Sequence, residues 1–387
     1  MEELKCSGIN ALTGEEISLT GDNEITQIGV THMRGGHSTS YVAPGLIDIQ
    51  VNGFAGVDYN SGSTPHEEIA RSIQVLFSTG VSRFFPTVIT GRPDSMVAAL
   101  KNLTKAKEQI WEGFAMEGFH VEGPHISAED GPRGAHPRQW VRKPDVEEYK
   151  KWQDATGGKV KLVTLAPEWP EAPGYIEALV KDGVTVAIGH TGATREQIQA
   201  AVSAGASLST HLGNGAHANL PRHPNYIWEQ LAEDRLWADF IVDGIHLPES
   251  FIKTALRAKG IGRSILVTDA SSPAGAKPGR YMLGEQEVDL TADNRVVLAG
   301  QTRLAGSALR MDDGVSNLMR ICRLPLMDAI RMSTINPAIV GKLEGRTKGL
   351  VPGERADVIE FEVTESTGKI RILKNYIAGN LVYQTHS

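Results

Sequence analysis

GLIDIQVNG, residues 45–53, decides how the rest of the chain is read. From Leu46 to Val51 the run is apolar enough for a buried strand, and Gly53 closes it. Gln50 and Asn52 stand two residues apart at its C-terminal end, so strand alternation points both amides to one face. Such a pair either closes the turn before Gly53 or belongs to a site.

Seven more runs have the same form, apolar and then broken by polar or turn residues: VSRFFPTVIT (81–90), AMEGFHVEGP (115–124), VKLVTLAPE (160–168), VTVAIGH (184–190), ASLSTHLGN (206–214), WADFIVDGIH (237–246) and SILVTDA (264–270). Helical patterns separate several of them, at 65–80, 93–110 and 194–205. In the last, Thr194 and Gln197 have the spacing of a capping box and Gly205 suits the C-terminal end. Eight strand–helix alternations predict a closed (β/α)8 TIM-type barrel, with an open doubly wound sheet as the alternative. The chain ends read differently. Residues 15–30, 356–363, 369–379 and 380–384 are short alternating segments, which predict a small β-sandwich domain formed by both termini. The expected division is 1–44 plus 345–387 for that domain and 45–344 for the barrel. Residues 273–308 form an irregular or β insertion, and one helix is expected near 328–342.

Composition excludes several classes. The chain has 387 residues, 39 Lys+Arg against 46 Asp+Glu, and 41% hydrophobic residues, an ordinary globular balance. A net charge of −7 with no Lys/Arg cluster argues against nucleic acid as a partner. No apolar run approaches the roughly 20 residues of a membrane helix. Cys6 and Cys322 give no disulfide framework, and MEELKCSGIN lacks a signal-peptide pattern, so a cytoplasmic location is expected. No G-x-S-x-G elbow occurs, which removes a serine-hydrolase reading.

A barrel of this kind works at the C-terminal ends of its strands. Those ends carry Gln50 and Asn52, His120 and Glu122, His190, His211, Asp243 and His246, and Asp269. One glutamate and two histidines on a common rim are the donor set of a hydrolytic zinc site, which leaves a position open for water. Asp269, ending the last strand, has the place of an acid/base group. Singly, each has a plainer explanation: Glu122 as a cap on the Gly123–Pro124 turn, Asp269 as a turn aspartate before Ala-Ser-Ser-Pro, His120 as a packed histidine.

The ordered set PGLIDIQVNG, HVEGPHIS, TLAPE, GHTGAT, STHLGN, DGIH, LVTDASSPAG and LAGS, followed by GLVPGERADVIEFE, resembles the N-acetylglucosamine-6-phosphate deacetylase family of the amidohydrolase superfamily. The resemblance implies a metal-dependent deacetylase of amino-sugar catabolism or recycling that converts N-acetylglucosamine 6-phosphate to glucosamine 6-phosphate and acetate. It implies Glu122, His190 and His211 as metal ligands, Asp269 as general base and acid, and His136 as a group polarising the acetyl carbonyl. Asn214, Gly215, His246, Gln50 and Asn52 fall to substrate binding. Arg222 matches an arginine that reaches a neighbouring subunit's phosphate, which implies a homodimer. The loop segments EDGPRGAHPRQW, THLGNGAHANLPRHPN and NYIWEQLAEDRLWADF depart from the family pattern. They leave open a different or non-phosphorylated N-acyl amino sugar, a cyclic amide, or a sugar-phosphate-binding barrel without catalysis.

Neutral amides at 50 and 52 are poor zinc ligands beside imidazole, and strand 4 ends in LAPE with no lysine. One divalent metal per chain is therefore expected: Zn2+ first, with Fe2+, Mn2+ or Co2+ suited to the same donors. Elemental analysis of the purified protein checks this, and a second equivalent whose removal abolishes activity would refute it.

Overall fold

The computed structural model describes residues 4–30 and 40–385. The expected small-domain range 1–44 plus 345–387 includes residues 1–3, 31–39, 386 and 387, which lie outside them.

Eight strands form the parallel sheet: β1 (Leu46–Val51), β2 (Val81–Ile89), β3 (Phe119–Glu122), β4 (Val160–Leu165), β5 (Thr185–Ile188), β6 (Leu208–Ser209), β7 (Trp237–Ile241) and β8 (Ser264–Val267). Each pairs with its sequence neighbour, and every pairing is parallel. All eight coincide with the apolar runs in the sequence. Between β8 and β1 the contact is a single bridge, Val51 with Ala270. Asp48, buried in β1, completes it: its Oδ1 accepts from the Thr268 N–H at 3.3 Å and its Oδ2 from the Thr268 hydroxyl. The ring of strands thereby closes into a barrel.

Helices cover the outside because their sequences put apolar residues on one stripe. His66–Phe77 buries Ile69, Ile73, Leu76 and Phe77. Arg195–Ser203 starts at the Thr194/Gln197 capping box, stops at Ala204 and is followed by Gly205 at φ +110°. The expected single helix near 328–342 is two, Leu326–Ser333 and Ile335–Val340. Pro337 lacks the N–H that would bond Ser333, and its ring crowds that carbonyl, so the helix breaks at Thr334.

Strands from both ends make one seven-stranded sheet, in the order Asn380–Gln384, Lys369–Ile377, Val358–Thr364, Tyr41–Pro44, Leu4–Asn10, Glu16–Gly21 and Ile25–Val30. Its own core holds Leu4, Ile17, Leu19, Val42 and Val358, and Ile359, Phe361 and Ile372 join the barrel's apolar layer. The 273–308 insertion is a three-stranded antiparallel sheet, Gly279–Leu283, Gln286–Leu290 and Val296–Leu298. Among the described residues no helix is long and apolar enough to cross a membrane.

A buried ion cluster fastens the terminal sheet to the bottom of the barrel. Asp357 takes Arg83 Nε at 2.9 Å and Arg346 Nη1, while Arg346 Nη2 donates to the Gly45 carbonyl at 2.6 Å. Burial alone would raise the Asp357 pKa, but Arg346, Arg83 and Arg355 hold it well below the ordinary carboxylate range. Asp357→Asn leaves the buried Arg346 guanidinium without a counter-ion and Arg83 with Glu117 alone, at 3.1 Å, so a loss of about 3–5 kcal/mol is expected in chemical denaturation. The sign with pH follows from the depressed pKa. The wild-type contribution is complete above the unfolded value near 3.8 and disappears as pH falls through the folded value, so the variant's deficit narrows in acid. An equal deficit at every pH would contradict this assignment.

Candidate active site

The C-terminal ends of the strands enclose a cavity of about 130 Å³. Glu122 from β3, His190 after β5, His211 after β6 and Asp269 after β8 all face it, each at most 9% exposed. His190, His211 and Asp269 have φ of +50°, +28° and +50°. Left-handed backbone at a residue other than glycine costs on the order of 1–3 kcal/mol, and here it turns each side chain inward as its strand ends. Asp239, on β7, anchors one of them by accepting the His211 N–H at 2.5 Å. Nothing in WADFIVDGIH singles that residue out except a charge inside an apolar run.

Glu122 Oε1 lies 3.1 Å from His190 Nε2 and 2.8 Å from His211 Nε2. His190 Nδ1 is 2.9 Å from the Pro132 carbonyl, which only accepts, so the ring's proton sits on Nδ1 and neutral Nε2 offers a lone pair. A lone pair facing a carboxylate oxygen at 3.1 Å calls for positive charge between them. Burial would lower the His211 pKa, but Glu122 raises it to about 9; burial would raise Glu122, but the two imidazoles hold it well below its usual range. A proton or a divalent cation satisfies this demand, and two imidazole nitrogens with one carboxylate oxygen suit a tetrahedral cation with an open position.

His136 makes the cluster larger than expected. Glu122, His136 and His190 present ligand atoms all within 4.8 Å of one another, and His211 adjoins them through Glu122. His136 Nε2 is 3.3 Å from His190 Nε2, and its Nδ1 is 2.8 Å from the Thr90 hydroxyl. Since His190 Nε2 carries a lone pair, the His136 proton belongs on Nε2, with Thr90 donating to Nδ1. Burial lowers the His136 pKa to about 3, so the ring is a neutral donor. Thr90, at the end of β2, has no distinguishing sequence signal.

Both amides of the first strand meet Asp269. Gln50 Nε2 and Asn52 Nδ2 donate to the same oxygen, Oδ1, at 3.1 and 2.7 Å. Asn52 lines the cavity, whereas Gln50 stands behind it, away from the place of a substrate contact. Burial, then the Glu122 charge, raise the Asp269 pKa to about 6. His120 points under the rim, its Nε2 2.8 Å from the Thr164 hydroxyl, as a packed histidine would.

His246, Asn214 and Gly215 line the cavity, and Asp243 Oδ2 holds His246 Nδ1 at 2.6 Å. Arg222 is exposed on the loop before Tyr226–Ala232 and does not line this cavity. The insertion supplies Leu283, Gln286 and Leu304 as a wall, tied down where Gln286 Nε2 donates to the Ala135 carbonyl at 2.7 Å. Of these wall residues only Leu304, which opens LAGS, belongs to a motif in the sequence.

A model of the amidohydrolase family matches residues 41–382. The chain belongs to the amidohydrolase family. Within it, the N-acetylglucosamine-6-phosphate deacetylase of Lysinibacillus sphaericus is 34% identical over 372 residues, 92% of each chain. The N-acetylgalactosamine-6-phosphate deacetylase of Escherichia coli O157:H7 is 31% identical over 322 residues, 83% of each. A Mycobacterium smegmatis N-acetyl-D-glucosamine-6-phosphate deacetylase variant, solved in complex with N-acetyl-D-glucosamine-6-phosphate, superposes with a TM-score of 0.89 at 27% identity, covering 99% of this chain and 100% of that one. Amidohydrolases are metal-dependent, and the Glu/His cluster is where this one could hold its ion.

This amidohydrolase depends on Gly215 to keep His190 in place. Gly215 has φ +54°, and a Cβ there would lie 2.6 Å from His190 Nδ1, the atom bonded to Pro132. Gly215→Ala is expected to push the ring off that carbonyl and lower metal retention by roughly 10–100-fold, as loss of an orienting partner does. Metal titration checks this; unchanged affinity would mean that the ring is not held this way.

Proposed function

We propose that the protein hydrolyses the N-acetyl amide of N-acetylglucosamine 6-phosphate, giving glucosamine 6-phosphate and acetate. The observation that carries the reading is one buried carboxylate of raised proton affinity, Asp269, facing Glu122, His190 and His211, whose converging lone pairs suit a single cation. Zinc is the ion assigned, held by those three residues. When bound it supplies Lewis acidity, drawing charge from the scissile carbonyl and easing deprotonation of water.

The chain's own groups then have defined roles. Asp269 takes a proton from the attacking water as the oxygen–carbon bond forms. It returns that proton to the nitrogen as the carbon–nitrogen bond breaks, so the amine leaves neutral. His136, neutral with its proton on Nε2, donates to the carbonyl oxygen. Asn214, Gly215 and His246 border the space for the sugar.

No Lys or Arg lines the cavity among the described residues, so its walls offer little charge to a phosphate dianion. Arg222, exposed and without a part in this cavity, is assigned to the phosphate in a second copy's site, making the working form a homodimer. Free, buried Cys6 and Cys322 suit a reducing, cytoplasmic setting. The galacto epimer is a second reading, favoured by the relative that carries that name.

One assay tests the whole: acetate release from N-acetylglucosamine 6-phosphate, its galacto epimer and unphosphorylated N-acetylglucosamine, on protein of measured metal content. The first substrate is expected to lead. Asp269→Asn should keep its metal and lose roughly 10²–10⁴-fold in kcat. His211→Ala should lose metal, whereas His136→Ala should keep it and lose rate. Arg222→Ala should raise KM for phosphorylated substrates only. Equal turnover with and without phosphate, or near-wild-type Asp269→Asn, would sink the reading.

A further inference from the structure

We propose that Gln50 and Asn52 are positioning residues for Asp269: both amides seize one carboxylate oxygen, so that the other is presented to the reaction. This rests on the deacetylase reading and adds a role distinct from substrate binding or metal ligation.

Three observations carry it. Both donors converge on Oδ1, at 3.1 and 2.7 Å, and no side-chain donor stands on Oδ2 among the described residues. An ionised carboxylate only accepts, so the orientation of both amides is fixed, with nitrogen toward Asp269. Their oxygens, Gln50 Oε1 and Asn52 Oδ1, are buried with no protein partner. A pair serving only to fill a barrel would not leave two acceptors desolvated and unbonded.

The pair is also held in register from behind. The Asn52 N–H donates to the Ala270 carbonyl at 2.7 Å, next in sequence to Asp269, and the Gln50 N–H donates to Asp48 Oδ1 at 3.3 Å. Gln50 does not reach the cavity and so acts only through Asp269. The clamp adds no charge beside Glu122. A carboxylate free to swing would present either oxygen, and orientation of the reacting group is a large part of such catalysis.

The test uses the metal-loaded enzyme and the variants Gln50→Leu and Asn52→Leu. Each is expected to lose roughly 10–100-fold in kcat, with KM within about threefold of wild type and one metal per chain retained. Crystal structures should show the Asp269 carboxylate turned. A rise in KM with kcat intact would make the amides substrate contacts; loss of metal would make them ligands; wild-type turnover would make them bystanders. Each of those overturns the proposal. Gln50→Met and Asn52→Ser, judged by the same criteria, serve where a leucine variant does not fold. Should metal-loaded wild type release no acetate, the deacetylase reading fails, and the carboxylate's position in the variants still decides: unmoved, it overturns the clamp.

Discussion

Strands β8 and β1 meet across a seam that backbone pairing alone does not hold. Among the described residues only Val51 and Ala270 form a backbone bridge there; Asp48 takes the Thr268 N–H and hydroxyl on one side and the Gln50 N–H on the other, and the Asn52 N–H and the Gln50 and Asn52 amides reach across to Ala270 and Asp269. Burial raises its pKa to about 7 against those hydrogen bonds. Everything at the rim depends on this closure, because Asp269 follows Thr268 and the two amides follow Asp48. Opening the seam by the width of a side chain would separate Asp269 from the two amides that bond it.

The site is a concentration of negative charge in a dry place. Glu122, Asp239 and Asp269 are all buried at one end of the barrel, with Asp48 one layer below. Burial lifts Asp239 to about 7 and Asp269 to about 6, and only Glu122, with two imidazoles on one oxygen, stays strongly acidic. The environments thus separate the acids by role. Glu122 is the carboxylate with two imidazoles on one oxygen, and Asp269 is the one whose hydrogen-bond donors are neutral amides.

Much of this was legible in the residues. Each barrel strand shows as an apolar run, and the chemistry shows as a Glu or His interrupting that run at its end, as in HVEGP and STHLGN. The terminal segments alternate strictly enough to give themselves away as strands. Partnership was harder to read. Gln50 and Asn52 advertise a shared face, but their partner lies more than 200 residues away, so the amides looked like substrate contacts. His136 sits on a loop whose path no periodicity fixes, and its crowding against His190 comes only with Gly134 and Gly215 closing around that ring. Asp48 and Asp239 did leave a trace: a lone acid inside an apolar strand is expensive unless something bonds it, so LIDIQV and WADFIV each pose a question that only the tertiary fold resolves.

Backbone strain explains why these groups sit where strands stop. His190, His211 and Asp269 each take a left-handed φ just past the end of β5, β6 or β8. An L-residue there ends the ladder and swings its side chain out of the strand's alternation, over the mouth of the barrel. Glycine would make the turn without strain but brings no ligand or base. Three such residues in one ring mean that relaxed geometry has been given up where the side chain is needed, and the closed barrel beneath, with its fully buried strands, is rigid enough to hold them. The glycines around them complement this strain. Gly213 and Gly215 take the positive φ of the following loop and leave room for Phe251 and His190, so that the loop can fold back over the Glu122, His190 and His211 cluster.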